Sequence, residues 1–199
     1  MSDAVAQLGE TRRFLNKEPD HQIEWQRLRQ DFIERIPEGG RILDVGVGSG
    51  EDSRFFESKG FRVVSADLQG RKLDSTSTPV VMDLAHLGFA DQSFDAVWLA
   101  NVVIFVDDNL KRKAFETCSN ILNRNGTLFV CDNFFPSDES IDSLMEPQLG
   151  DEWHTSKRVH NMVEESGFKI VDEKIGIDIP EKRGFADKRG FHTMLATKD

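Results

Sequence analysis

Arg41-Ile42-Leu43-Asp44-Val45-Gly46-Val47-Gly48-Ser49-Gly50 is the stretch that decides the fold. Ile42, Leu43 and Val45 make a short apolar run of the kind buried on both faces of a central parallel strand. Gly46, Gly48 and Gly50 then let the backbone turn sharply and approach a ligand at distances a Cβ would forbid. Glu51 to Lys59 has helical character, with Phe55 and Phe56 on its inward side. A strand, a glycine turn and a helix N-terminus together form a nucleotide pocket.

The spacing narrows the nucleotide. A dinucleotide fingerprint requires G-x-G-x-x-G, whereas here the third glycine is Gly50 and Glu51 stands where the fingerprint would place it. Asp44 before the turn and Glu51 and Asp52 after it make the neighbourhood acidic, which repels a pyrophosphate and suits a cationic ligand without phosphate.

Working outward, Ile23, Leu28, Phe32, Ile33 and Ile36 recur at near-helical spacing up to Pro37-Glu38-Gly39-Gly40, so a helix precedes the first strand. Strands are expected near 41–45, 62–66, 79–82, 94–100, 127–131, 168–175 and 191–197, with helices near 51–59, 109–122 and 155–166. This alternation predicts an α/β three-layer sandwich with a mostly parallel sheet, because parallel neighbours need crossover connections and helices supply them. No helix separates the last two strands, so they pair antiparallel around the charged loop 180–190. No internal repeat or low-complexity tract is present.

At 199 residues, with 38% hydrophobic and 30% charged, the chain is sized for a single domain over 1–199 with an extension at 1–21. A net charge of −10 and a pI near 5.0 oppose a broad nucleic-acid footprint and favour a small-molecule substrate. No basic segment followed by an apolar stretch opens the chain and no run approaches membrane-spanning length, so a cytoplasmic protein without membrane contact is expected. Cys118 and Cys131, lacking C-x-x-C spacing, are expected as buried free thiols, and no histidine spacing indicates a metal.

The ordered motifs resemble the class I S-adenosylmethionine-dependent methyltransferases of small-molecule type over roughly 22–198. Acid-x-G-x-G-x-G at 44–50 resembles that family's first motif. Val63-Val64-Ser65-Ala66-Asp67 resembles its second strand, whose terminal acid accepts from both ribose hydroxyls. Val80-Val81-Met82-Asp83-Leu84 is similar to the third, whose acid contacts the adenine amino group. Phe94 to Asn101 is similar to the fourth, and Ile121 to Val130 to the L-x-P-G-G approach to the fifth, with Asn125 replacing one glycine. Glu165-Ser166-Gly167-Phe168 and Gly190 to Lys198 resemble the closing strands. The resemblance implies a Rossmann-like seven-stranded sheet with an antiparallel C-terminal strand, and S-adenosyl-L-methionine as cofactor with S-adenosyl-L-homocysteine as product. It implies a cofactor site of Asp44, Gly46, Gly48, Gly50, Asp67, Leu68, Asp83, Leu84, Ala100 and Asn101. Asp44 either orients the methionyl ammonium or braces the loop.

The acceptor end follows the family less closely. Phe105 stands where many small-molecule members carry a histidine, the chain contains no tyrosine, and Asn101-Val102-Val103-Ile104 is not the N/D-P-P-Y/F signature of amino-directed nucleic-acid enzymes. Asp132-Asn133-Phe134-Phe135 imitates that signature in the wrong place. Asp132 and His154 are the candidate catalytic residues, with 134–154 as a substrate cap. Trp98 is expected in the core. His21, His86, His160 and His192 are expected as ordinary or satisfied histidines, and Arg12 and Arg13 as a solvated pair. Methyl transfer to a small molecule is the expected activity, in a monomer or homodimer. The alternatives are a non-catalytic partner subunit that keeps the fold, and an RNA or protein methyltransferase.

Overall fold

The computed structural model describes residues 19–68, 80–134, 156–178 and 189–198. The chain divides into two compact units, Met1–Arg35 and Ile36–Asp199. In the first, helix α1 (Pro19–Ile33) buries Leu28, Phe32 and Ile33.

The second unit is a seven-stranded sheet in the order β3-β2-β1-β4-β5-β7-β6. Its strands are β1 (Arg41–Val45), β2 (Arg62–Asp67), β3 (Val80–Val81), β4 (Phe94–Ala100), β5 (Leu122–Phe134), β6 (Phe168–Asp178) and β7 (Arg189–Lys198). Helices α2 (Glu51–Ser58), α3 (Asp108–Ile121) and α4 (Ser156–Glu165) complete it. The pairs β1–β2, β1–β4, β2–β3 and β4–β5 are parallel, while β7 runs antiparallel to both β5 and β6. The expected alternation is therefore present, and the antiparallel strand is inserted between β5 and β6.

Side-chain alternation assigns the layers. Leu43, Val45, Val97, Leu99, Leu128 and Val130 join one core with Ala114, Phe115 and Cys118 of α3 and Val159, Met162 and Val163 of α4. On the opposite face Trp98 stacks on Phe129 at a centroid distance of 3.8 Å and meets Phe56 of α2 edge-on at 5.2 Å. Trp98 is thus core, as its apolar strand implies, and its Nε1 donates to Asp52 Oδ2 at 3.0 Å, so the indole is buried without leaving its N–H unsatisfied. Asp107 caps α3, its Oδ1 accepting from Leu110 N at 2.9 Å.

β5 is longer than the expected 127–131. It follows β7 as far as the pair Phe134↔Gly190, and its start bends where Asn125 takes φ 62° in place of the family's glycine. Cys118 and Cys131 are free and buried, burial pushing the Cys118 thiol up to about 12 and the Cys131 thiol well above its ordinary value.

Candidate active site

Strand order reverses at β1, which lies between β2 and β4, so the loops leaving the carboxyl ends of β1 and β4 diverge around a crevice. The glycine turn lies there. Gly46 has φ 71°, and a Cβ on it would stand 2.4 Å from Val102 Cγ2, so the turn after β1 can approach the segment after β4 only without a side chain. Gly48 and Gly50 also have positive φ, and Gly50 leads directly into α2, whose first turn carries Glu51 and Asp52.

Hydrogen bonds tie this turn to β2. Gly46 N donates to Ala66 O at 2.7 Å, and Gly48 N donates to Asp67 Oδ2 at 3.2 Å. The acid at the end of β2 therefore stands beside the glycines. Leu68 follows it with 68% of its surface exposed, and Val81 of β3 is 63% exposed. Met82 N donates to Asp67 O at 3.0 Å, which brings the turn carrying Asp83 alongside Asp67. Asp83 is exposed and faces His86 Nδ1 at 3.8 Å, while Leu84 is buried.

Asp44 is turned inward. Its carboxylate is buried and accepts from Ser53 Oγ of α2 at 2.5 Å, and Ser53 Oγ lies 2.8 Å from Ser65 Oγ of β2. This chain fastens α2 to β1 and β2 and leaves a negative charge under the turn. Across the crevice Ala100 is buried, and Asn101 adopts φ 55° with its N donating to Cys131 O at 2.7 Å, which joins the ends of β4 and β5.

Asp132 is the next residue of β5. Only 1% of it is exposed, and it continues the inward row of Leu128 and Val130 toward α3. There it meets the field of Lys111, a fully buried lysine overlooked in the sequence reading although it extends the buried stripe Ala114, Phe115, Cys118 and Ile121 one turn upstream. Burial pulls the Lys111 ammonium down to about 8, with Asp132, Asp108 and Asp107 opposing that pull and Arg158 assisting it. Because the unfolded chain then binds more protons than the folded one, stability rises with pH between about 8 and 10.5. His154 and all of the cap 134–154 beyond Phe134 lie outside the described residues.

His192 is not an ordinary surface histidine. It is fully buried, and its Nε2 lies 2.5 Å from Glu173 Oε1, the same oxygen that His160 Nδ1 reaches at 2.9 Å. Burial lowers the His192 imidazole below its usual value against the pull of Glu173. Burial would raise the Glu173 carboxyl, but its two histidine bonds outweigh this and lower it. Both shifts leave the unfolded chain binding more protons in acid. Melting temperature is therefore expected to fall below about pH 6.5 and again below about pH 4.5, and scanning His192→Asn across that range should show the first limb reduced.

A methyltransferase-domain family matches residues 43–130, from β1 to β5, and thus spans the glycine turn, Asp67, Asp83 and Asn101. Over those residues the chain is similar to a methyltransferase domain. The chain is 28% identical over 143 residues to the demethylmenaquinone methyltransferase of Renibacterium salmoninarum, covering 69% of this chain and 54% of the relative. The chain spans about half the length of the curated relatives it matches. Among solved structures, the 1,6-didemethyltoxoflavin-N1-methyltransferase of Burkholderia thailandensis superposes with a TM-score of 0.70 at 16% identity, over 99% of this chain and 86% of that one. The phosphoethanolamine N-methyltransferase 2 of Haemonchus contortus gives 0.64 at 17%, over 86% and 52%. The likeness to these structures shows the fold, a Rossmann-like, mostly parallel sheet with an antiparallel strand near its C-terminal edge. Among the described residues no helix is long and apolar enough to cross a membrane, and no group of His, Cys, Asp and Glu is arranged to hold a metal.

Proposed function

We propose that the chain binds S-adenosyl-L-methionine at the carboxyl ends of β1, β2 and β4 and transfers its methyl group to a small-molecule acceptor by in-line displacement. One observation carries this reading: the Asp67 carboxylate and the Gly48 amide meet at 3.2 Å, joining a diol acceptor to a turn that admits close backbone approach. The surroundings fit the group. Asp44, Glu51 and Asp52 give a negative field for a cation, and Leu68 offers an exposed apolar face against which a purine ring can pack. Relatives whose names record S-adenosylmethionine or S-adenosylhomocysteine share the fold and support the choice of cofactor.

The cofactor supplies an already activated methyl group on a sulfonium, so the chain's residues chiefly bind, orient and exclude water. Asp67 holds the ribose hydroxyls. Asp83 and the Leu84 amide receive the adenine edge. Gly46, Gly48 and Gly50 admit the methionyl part, over the buried charge of Asp44. Ala100 and Asn101 flank the transferable methyl, and Asp132 and His154 serve the acceptor. The demethylmenaquinone, toxoflavin-precursor and phosphoethanolamine enzymes support a small acceptor, as does the acidic composition.

Titration with S-adenosylhomocysteine tests this reading. One site per chain is expected, and at a hundred times Kd the melting temperature should rise by roughly 5 to 10 °C. An unchanged melting temperature at millimolar ligand would overturn it.

A further inference from the structure

The sheet face under α3 and α4 is apolar until it reaches the carboxyl end of β5. There three inward positions carry polar side chains instead. Lys111 extends the α3 stripe, Asp132 follows Leu128 and Val130 on β5, and His192 precedes Met194 and Ala196 on β7. Asp132 and His192 are directly opposed in the antiparallel ladder, so their side chains stand on the same face as neighbours. His192 continues to Glu173 of β6 at 2.5 Å and through it to His160 of α4 at 2.9 Å. Glu173 and His160 are each 30% exposed, so a row that begins buried at the end of β5 ends in solvent.

Lys111 closes the inner end of this row. Its Nζ is buried with no hydrogen-bond partner among the described residues. Asp132 of β5, Asp107 and Asp108 of its own helix, and Arg158 of α4 are the charged groups that act on it. An aliphatic side chain would fill this core position at less cost, and a charge kept where burial opposes it marks a functional group. Asp132 is the member of the row nearest the end of β4, since Cys131 beside it accepts the Asn101 amide.

We propose that Lys111 is a positioning residue that keeps Asp132 ionised beside the acceptor, and that Asp132, His192, Glu173 and His160 lead to solvent the proton which a protic acceptor loses on methylation. This rests on the methyltransferase reading above. As a lone pair on the acceptor's oxygen or nitrogen forms the new bond to the methyl carbon, the carbon–sulfur bond breaks with its electron pair to sulfur, and sulfonium becomes thioether. The proton leaves the acceptor for the Asp132 carboxylate and passes by His192 and Glu173 to His160 and water, so the positive charge lost at sulfur emerges as one proton. A thiolate acceptor has no such proton to release.

The test is S-adenosylhomocysteine formation from pH 5.5 to 9.5 with a hydroquinone, a phenol, a primary amine and a thiol as acceptors, in wild type, Lys111→Met, Lys111→Arg, Asp132→Asn and Glu173→Gln. S-adenosylhomocysteine affinity is measured in parallel. Turnover of a protic acceptor is expected, with kcat/KM rising to a plateau. Lys111→Met should move the rising limb up by at least one pH unit and Lys111→Arg should restore part of it. Asp132→Asn should lower the plateau at least a hundredfold, with cofactor affinity within threefold of wild type. Glu173→Gln, at the half-exposed end of the row, should slow turnover several-fold, so the proposal stays testable if Lys111→Met does not fold. Turnover of the thiol alone, no turnover of any protic acceptor, or variants that keep the wild-type pH profile would each overturn the proposal while leaving cofactor binding intact. Loss of S-adenosylhomocysteine binding in the wild type would instead overturn the methyltransferase reading.

Discussion

Asp67→Ala should weaken S-adenosylhomocysteine binding about a hundredfold or more. A hydrogen bond to a charged acceptor contributes about 1.5 to 3 kcal/mol, and Asp67 is placed to accept two from a vicinal diol, so about 3 kcal/mol or more is at stake. The same carboxylate accepts from Gly48 N at 3.2 Å, and part of the loss would therefore come through a loosened glycine turn. Asp67→Asn separates the two contributions. Its amide keeps one acceptor oxygen for the Gly48 amide but gives up the charge and the second acceptor, and a loss of roughly tenfold is expected. Calorimetric titration of the two variants gives the comparison, with melting temperatures of the unliganded proteins as the control for the turn. Equal affinities in wild type and Asp67→Ala would remove Asp67 from the site.

Gly46→Ala should lower stability by about 3 kcal/mol, a fall of roughly 10 °C in melting temperature for a chain of this length. Two costs add. An L-residue at the Gly46 φ of 71° costs about 1 to 2 kcal/mol, and the new Cβ would stand 2.4 Å from Val102 Cγ2, inside the distance at which carbon atoms repel. Val102→Ala in the same chain relieves the clash but not the backbone strain. The double variant should therefore recover about half of the loss, and thermal unfolding of the two singles and the double measures the coupling. Full recovery would assign the whole effect to Val102. No recovery would assign it to the backbone. Cofactor affinity should fall in both, since either way the turn must move.

The glycine-turn side of the sheet was legible because its signals are local. The apolar run Ile42 to Val45, the three glycines and the acid Asp67 each prescribe a backbone state or a ligand chemistry within a few residues, and the structure brings them together at the ends of β1 and β2. The direction of the last strand followed from a missing crossover helix. Its insertion between β5 and β6 did not, because strand order is set by which edges bury the most apolar surface across the whole sheet.

The charged row was hidden for a different reason. Lys111, Asp132 and His192 lie far apart in the chain, and each looks ordinary among its sequence neighbours. Only the inward period of α3, β5 and β7 directs all three to one side of the sheet. Extending the stripe from Ile121 back through Ala114 would have found Lys111, because a lysine at a core position breaks a pattern that a leucine would complete. Nothing local pairs His192 with Glu173, whose contact depends on the diagonal register of β6 against β7.

By itself the sequence determined the alternating α/β architecture, the glycine turn and its acidic surroundings, since backbone freedom and charge at a turn are properties of the residues that make it. The tertiary structure decided that Asp44 faces Ser53 inside the protein, that Asp67 meets the Gly48 amide, and that a lysine, an aspartate and two histidines share one row running from the core to the surface. Those outcomes depend on register and on which faces exclude water, and the energies of buried charges are set by neighbours that only folding supplies.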